Sequence, residues 1–596
     1  MRDEALGIEP FALFVAFVVS VFVLFVDQTL TSKPALLQSR RCAKMRYRVC
    51  TEFLSMAHAT RIGLVTSGSL LEGLTARLDE RYEIERLRVG QFMVVQGRQN
   101  RFFSMLTDVQ LAATSLSILA DPPDDEHPLL REILAGRNTY GTFKLTPQLM
   151  LPEDSLETPR PVKTIPAHFA PIYEASEDDF GLVFGAEGDG KFQMGTPLDM
   201  DVPVCIDLER FVERSNGVFG KSGTGKSFLT RLLLCGVIKH NAASNLIFDM
   251  HSEYGWSGTT EDKIQEVKGL AQLFPGQVYI YTLDPESSRR RGVKYDGDIT
   301  IGLNEIRVDD ILLLQDALNL NPTAAESAFI CAQRFGDDWI QKLRELDTEQ
   351  LKEFVESTGA NMSSMSALSR KLAQLEQLKF VTRKSSQSSI RQIIDALLAG
   401  KNVVVEFGQY RSELAYMLVS NILTRLIYDE WVRRTETFLA TKKSSDKPPQ
   451  LMITIEEAHN FLTPSLAKQT IFGKIARELR KYSVTLLVVD QRPSSIDNEV
   501  MSQLGSRITA LLNDDRDIDA VFMGVGGSKG LKTVLASLDS RQQAMMLGHA
   551  VPMPVVMRTR AYDKAFYEAM MQGNRRGPSL RPRTPELIDQ EADELF

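Results

Sequence analysis

Gly217-Val218-Phe219-Gly220-Lys221-Ser222-Gly223-Thr224-Gly225-Lys226-Ser227-Phe228-Leu229 decides how this chain folds. It contains G-x-x-x-x-G-K-[ST], the spacing of a phosphate-binding loop set between a strand and a helix. Gly220, Gly223 and Gly225 admit backbone angles closed to other residues, so successive N–H groups can turn toward one anion. Lys226 supplies a cation for the β- and γ-phosphates, and the Ser227 hydroxyl can ligate Mg²⁺. The apolar residues before the loop read as a strand, and 228–238 reads as an apolar helix.

The whole chain sets the bounds. At 596 residues it should hold two to four domains. It is 43% hydrophobic and 24% charged, ordinary for a globular protein. Its net charge of −8 offers no global basic field, so any contact with nucleic acid has to be local. The five cysteines are scattered, and none forms C-x-x-C. An odd, dispersed set argues against a disulfide framework or structural zinc and for a reducing compartment.

Residues 11–26 are an apolar run spanning about 24 Å as a helix, short of a ~30 Å hydrocarbon core. Acidic residues precede it, which is wrong for a signal peptide. Five basic residues between Arg40 and Arg48 follow it, and would keep the bulk of a membrane-anchored chain in the cytoplasm. The extension 1–56 therefore reads either as a membrane segment or as a misplaced start, with translation beginning at Met45 or Met56. Residues 57–206 read as a small β-barrel, with strands expected over 61–66, 74–78, 91–96, 101–111 and 141–151. Residues 121–126 and 152–166 read as loops.

From 207 to 572 the pattern becomes strand alternating with helix, the signature of an α/β fold with a parallel sheet. Strands are expected over 217–219, 245–249, 277–281, 403–407, 451–455 and 485–490. Leu, Gln, Lys and Glu at helical spacing over 308–398 mark an inserted helical subdomain. The tail from 573 reads as disordered.

Leu451-Met452-Ile453-Thr454-Ile455-Glu456-Glu457-Ala458-His459 is an apolar strand ending in two acids. Beside a phosphate loop this reads as a Walker B arrangement, with Glu456 on the metal and Glu457 as general base. Two solvated carboxylates opening a helix would look the same in isolation. Asp249 and Glu253 follow the strand after the loop's helix, where open α/β sheets bind ligands. A polar turn is the bland reading there. Gln491 ends a further strand and can sense γ-phosphate or orient water. Arg477 and Arg480 end a basic helix, where arginines also simply compensate the helix dipole. The basic turn 289–294 is expected as a cationic loop between two strands; a solvated loop is the bland and favoured reading, a DNA contact the functional one.

These motifs, in this order, resemble the HerA-like ATPases of the HerA–FtsK group, over roughly residues 61–562. They are 220–227, Asp249-x-His251-x-Glu253-Tyr254, Glu456-Glu457-Ala458-His459, Arg477-Glu478-x-Arg480-Lys481-Tyr482 and Gln491-Arg492-Pro493. Gly548-His549-Ala550-Val551-Pro552-Met553-Pro554 looks like the family's late strand. The resemblance implies a RecA-like P-loop core, ATP and Mg²⁺ bound between subunits of a hexameric ring, and DNA in a central channel. It also implies a NurA-type nuclease partner in DNA-end processing, and a role in trans for Arg480, with Arg477 second. Met250 and Ser252 replace the Pro and Gly of the Asp-Pro-His-Gly-Glu-Tyr motif, and Lys221-Ser222 departs from the common Ser-Thr. Two other readings remain open: a membrane-associated ATPase resembling the type IV traffic ATPases, and an ATPase that regulates a nuclease or defence effector. Nothing resembles the Leu-Ser-Gly-Gly-Gln of transport cassettes or the Asn-Lys-x-Asp of GTPases.

Overall fold

The computed structural model describes residues 60–572, apart from 116–119, 121–133, 135–137, 152–157, 260–265, 385–387, 411, 478–480, 526–527 and 540–541. The apolar run 11–26, the loop 121–126, most of the loop before 158, Arg480 and the tail from 573 lie outside the described residues. Among the described residues no helix is long and apolar enough to cross a membrane.

The amino-terminal strands close on themselves. Gly73–Leu78, Gly63–Ser69, Pro171–Glu174, Phe92–Gln96, Arg101–Ala113 and Thr139–Leu151 pair antiparallel in that order. The last returns to the first from Leu74↔Leu145 to Arg77↔Thr142, making a six-stranded barrel without a free edge. Alternation builds the barrel core: Phe143 and Leu145 are buried while Lys144 between them is exposed. Phe92 and Phe103 stack at 5.2 Å and meet the edge of Phe180 on the helix Glu177–Phe184. That helix is fixed by a Ser176–Asp179 capping box and by Arg101, whose guanidinium reaches Asp179 at 2.5 Å.

Among the described residues the second sheet has twelve strands. Eight run parallel, in the order Gly297–Asp298, Val278–Thr282, Asn402–Glu406, Ser244–Asp249, Leu451–Glu456, Val484–Asp490, Asn216–Phe219 and Ser506–Thr509. Gln543–Gly548, Val555–Thr559, Lys191–Thr196 and Val204–Asp207 extend it antiparallel. The strand before the phosphate loop, Asn216–Phe219, is separated from the acidic strand Leu451–Glu456 by one strand, Val484–Asp490. This is the RecA-like order. The central strands are buried throughout because helices cover both faces, so they read as unbroken apolar runs.

Among the described residues six α-helices make up most of the expected helical stretch, Val308–Leu313, Pro322–Phe335, Trp339–Glu345, Thr348–Thr358, Met362–Glu376 and Ser388–Leu398, with one two-residue strand, Val381–Thr382, pairing with Ile301–Gly302.

One expectation fails locally. Residues 549–554 form no strand; they connect the strands Gln543–Gly548 and Val555–Thr559. Pro552 and Pro554 lack the N–H a ladder needs. The basic turn lies between the strands Val278–Thr282 and Gly297–Asp298 as expected: Arg289 and Arg290 end a short helix, Pro285–Arg290, capped by the Asp284 side chain with proline in its first turn, and 291–294 form the turn and loop after it.

The helix after the phosphate loop, Lys226–Lys239, is buried from Leu229 to Ile238. A Cβ at Gly236 would lie 2.7 Å from the ring of Phe192, itself fully buried. Gly236→Ala is therefore expected to cost about 1–3 kcal/mol by overpacking. Gly181→Ala, in the exposed face of a helix with no atom within 4 Å, is expected to gain about 0.5–1 kcal/mol. Denaturant titration of both variants checks the opposite signs.

Candidate functional site

The phosphate loop leaves its strand at Gly220 and enters the helix at Lys226. Gly220, Gly223 and Gly225 all take positive φ, at 156°, 78° and 91°. Among the described residues no backbone acceptor takes the N–H groups of Ser222, Gly223, Gly225, Lys226 or Ser227. A Cβ at Gly223 or Gly225 would meet no atom within 4 Å, so the cradle is open on the side an anion would occupy. Lys221 anchors the loop: its N–H donates to the Leu511 carbonyl, and its own carbonyl takes the Thr224 hydroxyl at 2.7 Å. The Lys226 ammonium reaches that same carbonyl at 3.5 Å. Burial holds the Lys226 pKa below its ordinary value, against the opposing charges of Glu457, Asp490, Glu456 and Glu253.

Acids at the strand ends frame the site. Asp249, Glu406, Glu456 and Asp490 are the last residues of four adjacent parallel strands. Asp249 is fully buried and turned into its own loop, accepting the N–H groups of Glu253, Tyr254 and Gly255 at 2.7, 2.8 and 3.1 Å. Burial nonetheless raises its pKa. Glu456 accepts the Tyr254 hydroxyl on Oε1 at 2.7 Å, and its Oε2 is buried without a partner. Burial, then the charge of Asp249, pushes Glu456 well above the ordinary carboxylate range, while the Tyr254 hydroxyl opposes the rise. An orphaned oxygen on a buried acid among other acids suits a divalent cation. With Ser227 at the start of the facing helix, the donor set is the hard-oxygen kind that Mg²⁺ takes.

Glu457 lies next to this acid in a left-handed conformation, φ 46°, uncommon for a residue with a side chain. Its Oε1 accepts Gln491 Nε2 at 3.1 Å. Asp490 Oδ2 takes both the N–H and Nδ1 of His459, at 2.8 and 2.9 Å, and its Oδ1 takes the Arg492 N–H. The hydrogen bond to Asp490 raises the His459 pKa. The structure thus brings together Lys226, Glu253, Glu456, Glu457 and Gln491. Arg477 ends the helix Ile471–Arg477, half-buried, with no hydrogen bond or ion pair to these carboxylates among the described residues.

Sequence reasoning passed over four residues. Glu406 sits beside Asp249, pairs with Arg291 at 2.8 Å, and is pushed up first by burial. Tyr254 has no signal of its own beyond its place in Asp249-x-His251-x-Glu253-Tyr254. Tyr416 donates to the Glu456 carbonyl at 2.9 Å. Arg231, on the loop's own helix, is 2% exposed and places Nε and Nη2 at 2.9 and 2.6 Å from the Glu253 carbonyl. A basic residue in an apolar helical stretch was the available signal for Arg231. An acid closing the apolar run 403–405 was the signal for Glu406.

Residues 192–427 match the family described as Helicase HerA, central domain. The DNA double-strand break repair helicase HerA of Pyrococcus furiosus is 24% identical over 416 residues, 65% of this chain and 72% of that protein. Its counterpart in Sulfolobus acidocaldarius is 24% identical over 516 residues, 84% and 93%. Among solved structures, the bacterial conjugative coupling protein TrwBdeltaN70 covers 65% of this chain and 92% of its own, with 12% identity and a TM-score of 0.41. That likeness is too loose to add to the strand order.

The His459 pair yields a signed pH dependence. Because the folded pKa is raised, its contribution to stability is fully present below the ordinary value of about 6.5 and is lost as pH rises through the folded value. The stability gap between wild type and His459→Asn is expected to be widest near about pH 6 and to narrow by about pH 9. Denaturant titrations across that range, without nucleotide, check it; a constant gap contradicts the assignment.

Proposed function

We propose that this chain, which carries the HerA central domain over residues 192–427, is an ATP-hydrolysing DNA translocase or helicase. The observation carrying the reading is the meeting of Lys226 with Glu457, Asp490, Glu456 and Glu253 beside a loop of free N–H groups. Gly220 to Ser227 bind the ATP phosphates, with Lys226 on the β- and γ-phosphates. Ser227 and Glu456 would hold Mg²⁺, which supplies charge neutralisation to those phosphates. Glu457 polarises the attacking water and takes its proton, and the Gln491 amide orients that carboxylate. Asp249 shapes the loop that carries Glu253 to the lysine.

The same reading makes the assembly a closed ring, a hexamer, with DNA in its channel and the activity in the cytoplasm. Arg480 or Arg477 of one subunit would act on the nucleotide of the next. A chain of net charge −8 has to hold DNA through local basic residues. Arg289, Arg290 and Lys294, all exposed, are the proposed contact. DNA-end processing beside a NurA-type nuclease is the proposed setting.

DNA-stimulated ATP hydrolysis by the full chain is the first test; no stimulation by any DNA form overturns the translocase reading. Lys226→Ala is expected to lose nucleotide binding while remaining folded. Glu457→Gln is expected to bind ATP with Mg²⁺ but turn over about 10²–10⁴-fold more slowly. The reverse pattern, with turnover lost only in Glu456 variants, would exchange the roles of the two acids.

The ring has its own test. Arg480→Ala and Arg477→Ala are compared, and the one acting in trans is expected to lose on the order of 10³-fold in turnover with ATP binding intact. Mixing it with inactive Lys226→Ala subunits should restore part of the activity, since an intact loop then faces an intact arginine. Mixed rings that stay inactive contradict the trans contact.

A further inference from the structure

We infer that Tyr254 is a positioning residue: its hydroxyl ties one oxygen of Glu456 so that the other is presented to a divalent cation bound with nucleotide. This rests on the reading of Glu456 as the cation's carboxylate. The geometry is specific to the side chain. Tyr254 Oη donates to Glu456 Oε1 at 2.7 Å, across 202 residues of sequence. The other carboxylate oxygen is buried and has no partner, on a residue only 6% exposed. A carboxylate with one oxygen held cannot swing about its terminal bond, so the free oxygen keeps one direction. Mg²⁺ demands near-ideal octahedral placement of its ligands, so that fixed direction matters more than for a tolerant ion.

Tyr254 is itself held from the phosphate side. The ring is 0% exposed. Its N–H donates to Asp249, as do those of Glu253 and Gly255 on either side. The carbonyl just before it, that of Glu253, takes two guanidinium nitrogens of Arg231. Arg231 lies on the helix Lys226–Lys239, whose first turn carries Lys226 and Ser227. One helix therefore presents the phosphate-side groups directly and positions Glu456 through Arg231, the Glu253 carbonyl and Tyr254. Tyr416 fixes the main chain of Glu456, accepting its N–H and donating to its carbonyl. Tyr254 alone among the described residues donates to its carboxylate.

The test is Mn²⁺ binding, followed by electron paramagnetic resonance, to the full chain saturated with a non-hydrolysable ATP analogue. Tyr254→Phe keeps the ring and removes the donor. It is expected to weaken Mn²⁺ about tenfold or more while affinity for the analogue without divalent ion stays as in wild type, a split that a loss of packing would not produce. Arg231→Lys keeps Tyr254 but loosens its loop, and is expected to weaken Mn²⁺ by a smaller factor; it also carries the test if Tyr254→Phe does not fold. Wild-type Mn²⁺ affinity in either folded variant overturns the inference, as does a larger effect from Arg231→Lys than from Tyr254→Phe. Glu456→Gln separates the two levels. If it abolishes Mn²⁺ binding while Tyr254→Phe does not weaken it, the positioning role is wrong and the reading of Glu456 stands. If Glu456→Gln binds Mn²⁺ as wild type, the reading of Glu456 itself fails.

Discussion

Four neighbouring parallel strands each deliver a carboxylate to the same edge of the sheet, and much of the site is arranged around what those charges require. Glu406, Asp249, Glu456 and Asp490 are 1%, 0%, 6% and 1% exposed. An ionised carboxylate out of water is costly unless it is paired or hydrogen-bonded. Each acid meets this in its own way. Asp249 takes three N–H groups of its own loop. Glu406 takes the guanidinium of Arg291. Asp490 takes His459 and the Arg492 N–H. Glu456 takes one tyrosine hydroxyl and nothing on its second oxygen.

That inequality sets Glu456 apart from the other three acids. The three satisfied acids hold loops: Asp249 the turn 250–255, Glu406 the basic segment after 290, and Asp490 the two turns that carry Glu457 and Gln491. The unsatisfied one faces the lysine of the phosphate loop, together with Glu457, whose left-handed backbone is the kind of local strain kept at working sites. Lys226 stands where its charge is disfavoured by burial and favoured by every acid around it. Phosphates entering the cradle would add further negative charge, which is the electrostatic reason a divalent cation belongs with them.

What the residues disclosed in advance follows from range. Central parallel strands are buried on both faces, so 451–455 and 485–490 stood out as apolar runs, and the structure has Leu451–Glu456 and Val484–Asp490. The phosphate loop was legible because its glycines and lysine act on a ligand through local backbone geometry. Tyr254 and Arg231 were less so: a tyrosine after an acid has no local signature, and an arginine in an apolar helix signals that it needs a partner without saying which. Their partners are 202 and 22 residues away. Local rules also misled where chain context was missed. Residues 548–554 read as a strand although two prolines deny it N–H groups. The expected loop 289–294 is met from 291 on, while its first two residues end the short helix that Asp284-Pro285 opens.

Arg231 shows how far the bracing of the site extends. A buried guanidinium is costly, and this one leaves Nη1 without a partner. It is offset by two bonds to the Glu253 carbonyl and by the rings of Phe228 and Tyr562, whose centroids lie 4.9 and 5.9 Å away. Tyr562 also donates to the Lys268 carbonyl, and the helix after it, Lys564–Gln572, packs against Leu270–Leu273. The segment after the strand Val555–Thr559 thus packs on the phosphate-loop helix through Tyr562 and on 268–273, where the N–H groups of Leu270 and Ala271 bond back to the carbonyls of Tyr254 and Gly255. A hydrophobic residue in place of Arg231 would fill the space without reaching Glu253. On this geometry the guanidinium ties the helix Lys226–Lys239 to the loop that carries Tyr254.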